Sequence, residues 1–197
     1  MAQATETKTA AAVANPAPLG LFGFATTTLV LSAANSNFTG VTAGGALGLA
    51  LAYGGLAQLL AGMWEFKNGS TFGGVAFSSY GAFWISFWVL NNAAGSAPKG
   101  ANDLGWYLLS WTVVTGLLFL GTLRQNFGLV AVFGLLFITF LLLTIGAFNP
   151  PAAGSQPSPI GGYVGIATAI AAYYVGLAGI MEHVSKGKIK LPLGVIG

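Results

Sequence analysis

The placement of its charges constrains this chain more than any other feature of the sequence. Of 197 residues, seven are Lys or Arg, four are Asp or Glu and one is His. None of these occurs in residues 9–64, 68–98, 104–123 or 125–181. A protein that folds in water needs charged faces, whereas a charge near the centre of a bilayer is costly and Leu, Phe or Val there is favourable. The charges therefore mark breaks between apolar segments, and the sequence predicts a polytopic membrane protein.

The composition excludes several other classes. With 55% hydrophobic and 6% charged residues the chain is not disordered, and its 30 Gly follow no Gly-X-Y period of collagen. The lack of Cys removes disulfides, thiolate nucleophiles and Cys metal sites. Residues 1–14 are polar and rich in Ala and Thr, lack the pattern of a signal peptide, and are predicted to be a disordered tail. Lys186, Lys188 and Lys190 indicate a basic tail beside the membrane, over residues 186–197, rather than a nucleic-acid partner.

Six apolar runs are long enough to cross a membrane, which takes about 20 helical residues. They are continuous rather than alternating, which favours helices over a β-barrel and predicts an all-α transmembrane domain over residues 15–185. The predicted spans are Leu19–Ser36, Thr42–Trp64, Phe72–Asn92, Leu104–Leu123, Phe127–Phe148 and Ile160–Met181. Turn residues at 37–40 and 67–70 and a Pro-rich loop at 149–159 separate three pairs of spans.

The distribution of basic residues predicts the orientation. An even number of spans places both termini on one side, together with the second and fourth loops. That side carries Lys8, Lys67, Arg124, Lys186, Lys188 and Lys190, and the other side carries Lys99. Because loops on the cytoplasmic side carry an excess of Lys and Arg, we expect a multi-pass protein of the cytoplasmic membrane with both termini in the cytoplasm.

The sixth span carries a stripe of small residues on one helix face. Its members are Gly162, Gly165, Ala169, Ala172, Gly176 and Gly179. Such stripes allow the backbones of two membrane helices to approach closely. Packing inside one subunit and a seam between subunits are both compatible with this pattern. Gly44, Gly48 and Ala52 form a shorter stripe on the second span.

Polar residues follow one another at helical spacing on the first three spans. The three series are Gly20, Phe24, Thr28, Leu31 and Asn35; Gly54, Gln58, Gly62 and Glu65; and Phe77, Tyr80, Trp84, Trp88 and Asn91. A buried amide such as Gln58 needs a partner or water. It could tie two helices together, or the three faces could converge on a wet path.

Ionisable groups are missing from the middle of every predicted span, where proton pumps and ion-coupled carriers usually place them. The sequence also lacks a set of metal ligands, and its single His, His183, lies at the end of the last span. We therefore predict no catalytic residue, metal or cofactor. A pore or carrier for a small solute that is neutral or only briefly charged fits this pattern.

One string near the start is specific: Asn15-Pro16-Ala17-Pro18-Leu19-Gly20-Leu21. Further motifs follow in order: Tyr53-Gly54-Gly55 with Gln58, Gly62, Glu65 and Lys67; Thr71-Phe72-Gly73; Ser79-Tyr80-Gly81 with Phe83-Trp84; Phe119 with Gly121-Thr122-Leu123-Arg124; and Leu191-Pro192-Leu193-Gly194. Over about residues 15–197 the chain closely resembles the acetate uptake transporter family, the acetate/succinate permease group.

The resemblance implies a six-helix subunit of a ring-like homohexamer, in which each subunit moves acetate, other short monocarboxylates or, in some members, succinate. Members are described both as proton-linked transporters and as anion channels, and this choice stays open. Their hydrophobic constriction corresponds to Phe24, Tyr80 and Leu136, with Leu135 as an alternative at the third position. The resemblance assigns Asn15, Gln58, Glu65 and Trp84 to activity or the pathway, and the hydroxyls of Thr28, Ser79 and Tyr80 could offer transient hydrogen bonds.

Two other functions stay open. The first is a channel for another small solute such as ammonia or water, although paired pore histidines that would favour ammonia are missing. The second is a membrane scaffold or signalling protein that transports nothing, in which the stripes serve packing alone.

Overall fold

The computed structural model describes residues 13–37, 40–92, 100, 102–149 and 158–196. Within these ranges six helices are long and apolar enough to cross a membrane, which confirms the predicted all-α class and its six spans. They are α1 (Ala17–Asn35), α2 (Gly44–Lys67), α3 (Thr71–Asn91), α4 (Asp103–Thr122), α5 (Phe127–Phe148) and α6 (Pro159–Val184). Residues 1–12 of the predicted tail and residues 150–157 of the Pro-rich loop lie outside the described residues.

Several helices begin where the side chains supply a cap. The Oγ of Ser70 accepts a hydrogen bond of 3.1 Å from the amide of Gly73 at the start of α3. Asn126 caps α5 in the same way through Leu129, at 2.9 Å, and Ser158 caps α6. Because the first amides of a helix have no partner within it, such caps determine where the helix begins.

Helix α2 is not a continuous α-helix. Two α-helical pieces, Gly44–Leu51 and Gln58–Lys67, flank a π-helical segment, Ala52–Ala57. Nothing in the periodicity of the sequence predicted this segment.

The small-residue stripe of α6 packs against α1 of the same chain. A Cβ atom added to Gly162 or Gly165 would collide with Ser36 or Ser32, and one added to Gly179 would lie 3.1 Å from the Pro18 ring. The structure therefore shows internal packing for this stripe. The shorter stripe of α2 is exposed, and Gly48 has no atom within 4 Å of its added Cβ.

The described part of the C-terminal tail folds back against the start of α5. The amides of Phe127 and Gly128 donate to the carbonyls of Gly194 and Leu193, at 3.1 and 3.0 Å. The Tyr174 hydroxyl on α6 donates to the Pro192 carbonyl at 3.0 Å. The basic tail is thus attached to the helical domain at the end where α1 begins.

Candidate solute pathway

Three cavities lie between the helices. The tail-side cavity, of about 610 Å³, is bordered by Asn15 near the start of the described chain and by Leu193 in the C-terminal tail. The far-side cavity, of about 400 Å³, lies at the opposite ends of the helices and is bordered by Asn35 and Asn91. Between them is a central cavity of about 20 Å³, roughly the space that one water molecule needs.

The order of the lining residues along α1 shows that the three cavities follow one another. Leu21 borders the tail-side and central cavities, Phe24 borders the central and far-side cavities, and Thr28 borders the far-side cavity. Helix α5 repeats this order with Phe133, Leu136 and Thr139.

Helix α3 follows the same sequence of cavities, with Phe77, Tyr80 and Trp84. One line of space therefore runs along α1, α3 and α5, and it is narrowest at the central cavity.

The three residues predicted to form a constriction come together at this narrowest point. Phe24, Tyr80 and Leu136 are 4%, 2% and 3% exposed, and all border the central cavity. The ring centroids of Phe24 and Tyr80 are 5.7 Å apart. Leu135 borders none of the three cavities, so the geometry favours Leu136 over the alternative at this position.

Gln58 reaches the central cavity from α2. It is 1% exposed, and neither its Nε2 nor its Oε1 has a hydrogen-bond partner within the described residues. Leaving a buried polar group unpaired costs about 1–3 kcal/mol. This amide is therefore available to a water molecule or a solute in the constriction.

Two further polar groups without a partner border the far-side cavity. They are the Oγ1 of Thr28 and the Nε1 of Trp84, and both residues are buried. An indole N–H can only donate a hydrogen bond. In this part of the path the indole N–H of Trp84 can therefore donate a hydrogen bond to a carboxylate oxygen or to a water molecule.

The remaining predicted pathway residues are divided between the path and its surroundings. Asn15 and Glu65 border the tail-side cavity, where Asn15 Oδ1 accepts from the amide of Ala17 at 3.0 Å. Glu65 is buried, and its Oε1 has no hydrogen-bond partner within the described part of the chain. Ser79 is half-buried and borders none of the three cavities, so its place in the pathway rests on sequence reasoning alone.

Most of the α5 face of the path was not predictable from the sequence. Phe133, Thr139 and Phe140 border it, yet the fifth span was credited only with the constriction Leu. Helix α5 is the most apolar of the six, so no polar stripe distinguishes the face that borders the path from the faces that pack or meet lipid. Thr139 is buried and borders the far-side cavity, but the other buried threonine of this helix, Thr144, faces Thr112 of α4 at 3.0 Å, so the threonines do not mark the path in the sequence.

Six helices of membrane length around a narrowing line of cavities define a multi-pass membrane protein with an internal path. The chain belongs to the GPR1/FUN34/yaaH family, whose sequence profile matches residues 2–192. This confirms the resemblance found in the motifs.

Similar proteins are named for transport. Over 185 residues the chain is 41% identical to acetate permease A of Emericella nidulans, covering 86% of this chain and 62% of that protein. Over 176 residues it is 42% identical to ammonia transport outward protein 2 of Saccharomyces cerevisiae, covering 85% and 61%. It is 36% identical to the succinate-acetate/proton symporter SatP of Escherichia coli K12 over 185 residues, covering 92% and 96%.

The chain thus spans about three fifths of the length of these two fungal relatives and nearly all of the bacterial one. A solved structure of the bacterial acetate channel SatP matches the fold with a TM-score of 0.83 at 36% identity. That match covers 92% of this chain and 99% of that chain.

Proposed function

We propose that this protein conducts acetate and similar short monocarboxylates, with succinate as a further candidate, across the cytoplasmic membrane. The observation that carries the proposal is the central cavity, closed by Phe24, Tyr80 and Leu136 between two larger cavities and bordered by the unpaired amide of Gln58. The names of the relatives, an acetate permease, a succinate-acetate/proton symporter and an acetate channel, support this substrate class.

The constriction suits a small weak acid for two physical reasons. Apolar side chains around a narrow space make its hydration unfavourable, which blocks bulk flow of water and ions. The lining of the central cavity contains no charged side chain, so a carboxylate is not held tightly and can leave. Gln58 Nε2 would donate to the carboxylate at the constriction, and Trp84 Nε1 would donate to it on the far side.

Acetate is larger than the central cavity, so conduction requires the constriction to open. The side chains of Phe24 and Leu136 separate the central cavity from the far-side cavity. We expect rotation of one of them to join the two spaces. Tyr80 is held by a hydrogen bond of 3.0 Å to Thr115, and we expect it to move less.

Ammonia is a second candidate, supported by the name of the yeast relative. A constriction whose lining has no charged side chain would also pass a neutral molecule of this size. The indole N–H of Trp84 can donate to either solute, because ammonia also has a lone pair, but its hydrogen bond to a charged carboxylate oxygen is the stronger one and favours acetate.

Purified protein in liposomes tests both candidates and the possibility of a non-transporting scaffold. We expect uptake of radiolabelled acetate that depends on the protein and is reduced in excess unlabelled acetate. Ammonia entry is followed in parallel by the pH of the vesicle interior. Entry of ammonia without acetate would favour the second candidate, and the absence of both fluxes from folded, correctly inserted protein would contradict transport.

The same vesicles distinguish a channel from a proton-linked carrier. Coupled transport drives acetate against its own gradient when a pH gradient is imposed, and a protonophore abolishes this accumulation. A channel only dissipates the acetate gradient. It accumulates no acetate beyond the level set by the voltage and by passive equilibration of the protonated acid. Vesicles without protein measure the passive contribution.

We also propose a homohexamer with both termini in the cytoplasm. The number six is supported by the family resemblance, and the orientation by the excess of basic residues on the side of the termini. Exposed apolar side chains on α4, among them Trp106, Leu117 and Leu120, are available to lipid or to a neighbouring subunit. Native mass measurement in detergent tests the assembly, and a stable monomer of the wild-type protein would contradict it.

A further inference from the structure

The π-helical segment of α2 ends directly before Gln58, the residue that reaches the central cavity. Short π-helical stretches within α-helices are rare and occur frequently at functional sites. The position of this segment suggests that it orients the residue that follows it.

The spacing of buried residues along α2 shows what the segment changes. Ala46, Ala50, Gly54 and Gln58 are all buried, each four residues after the last. From Ala50 to Gln58 an uninterrupted α-helix would turn about 80° beyond two full turns, because it has 3.6 residues per turn. A π-helix has more residues in each turn, so every fourth residue stays closer to one face. The segment therefore keeps Gln58 on the same buried face as Ala50.

Helix α1 packs against the segment so closely that two glycines are needed. Thr27 is fully buried, and its Oγ1 donates to the carbonyl of Gly23 at 2.9 Å. A Cβ added to Gly54 would collide with the Thr27 hydroxyl and lie 2.8 Å from its Cβ. A Cβ added to Gly23 would lie 2.7 Å from the carbonyl oxygen of Tyr53.

The segment also contacts α3. A Cβ added to Gly55 would lie 2.8 Å from Cγ1 of Ile85 on α3. The π-helical segment is thus held between α1 and α3. These contacts leave no room for the segment to rewind into regular α-helical geometry, which would rotate Gln58 about the helix axis.

We propose that Thr27 is a positioning residue: its contact with Gly54 holds α2 in the π-helical register that places the Gln58 amide in the central cavity. Thr27 itself borders none of the three cavities, so it acts through α2 rather than on the solute. Only the effect of Thr27 on transport rests on the proposed function. The position of residue 58 can be measured without any substrate.

The absence of Cys from the chain makes this measurement direct. Gln58→Cys introduces a single thiol, and its rate of modification by methyl methanethiosulfonate is followed by intact mass on folded protein in detergent. In this background Gly54→Ala should slow modification by about tenfold, because the new methyl group pushes α2 away from Thr27 and reduces the population with residue 58 in the cavity. Thr27→Ala alone removes the hydroxyl and methyl groups that pack against Gly54 and should also slow modification, by about threefold or more, whereas Thr27→Ser keeps the hydroxyl against Gly54 and should leave the rate unchanged.

Gly48→Ala is the matched control, since Gly48 lies on the exposed face of the same helix with nothing near its added Cβ. It should leave the modification rate unchanged. An unchanged rate in folded Thr27→Ala or in folded Gly54→Ala would overturn the proposal.

If Gly54→Ala does not fold, Thr27→Ala and Thr27→Ser decide the proposal by themselves, because removing atoms from Thr27 creates no collision. Equal rates in these two variants then contradict it. Where acetate flux is present, the ratio of acetate to lactate uptake should change in Gly54→Ala and Thr27→Ala and keep the wild-type value in Thr27→Ser and Gly48→Ala. Loss of flux in the wild type would contradict the proposed function, while the thiol rates would still decide the role of Thr27.

Discussion

The hydroxyl of Tyr80 on α3 lies 3.0 Å from the Oγ1 of Thr115 on α4, and both residues are buried. This hydrogen bond holds the aromatic ring at the central cavity from behind, away from the path. The ring also lies beside that of Phe133, with centroids 6.0 Å apart. Tyr80 is thus fixed on two sides.

A double-mutant cycle measures this hydrogen bond. Tyr80→Phe leaves the Thr115 hydroxyl buried and unpaired, which should lower the free energy of unfolding by about 1–3 kcal/mol. Tyr80→Phe combined with Thr115→Val replaces both partners by apolar groups and should lie close to the wild type. The free energy of unfolding of the wild type, both single variants and the double variant is measured in the same detergent. If the decreases of the two single variants add up in the double variant, the two hydroxyls do not interact.

Widening the constriction should broaden the substrate range. Leu136→Ala or Phe24→Ala enlarges the central cavity, so lactate and succinate should gain uptake relative to acetate. Uptake is normalised to folded, inserted protein, because loss of a buried side chain by itself costs about 2–5 kcal/mol of stability.

The neighbouring substitution Leu135→Ala is the control for the constriction. Leu135 borders none of the three cavities, so its loss should leave the acid preference unchanged. If Phe24→Ala, Tyr80→Ala and Leu136→Ala all keep the wild-type substrate range while the yield of folded protein drops, these residues serve packing rather than gating.

Replacing Gln58 should separate stability from transport. Gln58→Leu removes a buried amide without a partner within the described residues, so the free energy of unfolding should rise by about 1 kcal/mol or more. The same change removes a donor for the carboxylate, so acetate uptake should fall. Thermal unfolding and liposome uptake on one preparation check both directions. A stability that falls instead would indicate that the amide has a structural partner.

The stripe on α6 should matter for the fold of each subunit. Gly165→Leu places a side chain where Ser32 of α1 already lies, and overpacking of this kind costs about 1–3 kcal/mol. We expect less folded protein and an unchanged number of subunits in what remains. Ala167→Leu, on an exposed face of the same helix, is the control and should be tolerated. Well-folded monomers from Gly165→Leu would instead show that the stripe joins subunits.

Single cysteines test the proposed orientation without removal of any native thiol. In intact cells a cysteine at Ser96 should react with an impermeant thiol reagent, because the third loop is expected outside the cell. A cysteine at Ser185, beside the end of α6 that is expected in the cytoplasm, should react only after the membrane is opened. The opposite labelling pattern would reverse the topology.

The helices were predictable wherever local chemistry marks their ends. The predicted fifth span, Phe127–Phe148, has the same bounds as α5, because Asn126 caps its first turn and apolar residues continue to Asn149. The predicted second span ended at Trp64, whereas α2 continues to Lys67. The predicted span was defined as an uncharged run and therefore stops before the first charged residue. The helix itself can continue, because a long side chain such as that of Lys67 reaches the polar edge of the membrane.

The candidate site was predicted in part. The motif match named Phe24, Tyr80 and Leu136, and these three side chains do meet at one cavity. Their role as a gate stays a prediction. Thr27 belongs to a string, Thr26-Thr27-Thr28, that matches the family, but the sequence assigned it no role, because a Thr in an apolar helix gives no sign of the helix that will pack against it.

The sequence by itself determined that this chain crosses the membrane with six helices, because charge and hydropathy act on each segment independently of its neighbours. Only the tertiary structure decided which faces border the path, that the α6 stripe packs on α1, and that α2 departs from α-helical geometry before Gln58. These features depend on pairs of residues far apart in the chain, such as Thr27 with Gly54 and Ser32 with Gly165. A membrane-spanning helix carries apolar side chains on every face, so hydropathy cannot distinguish the face that points into the protein. Close packing between helices determines which face that is.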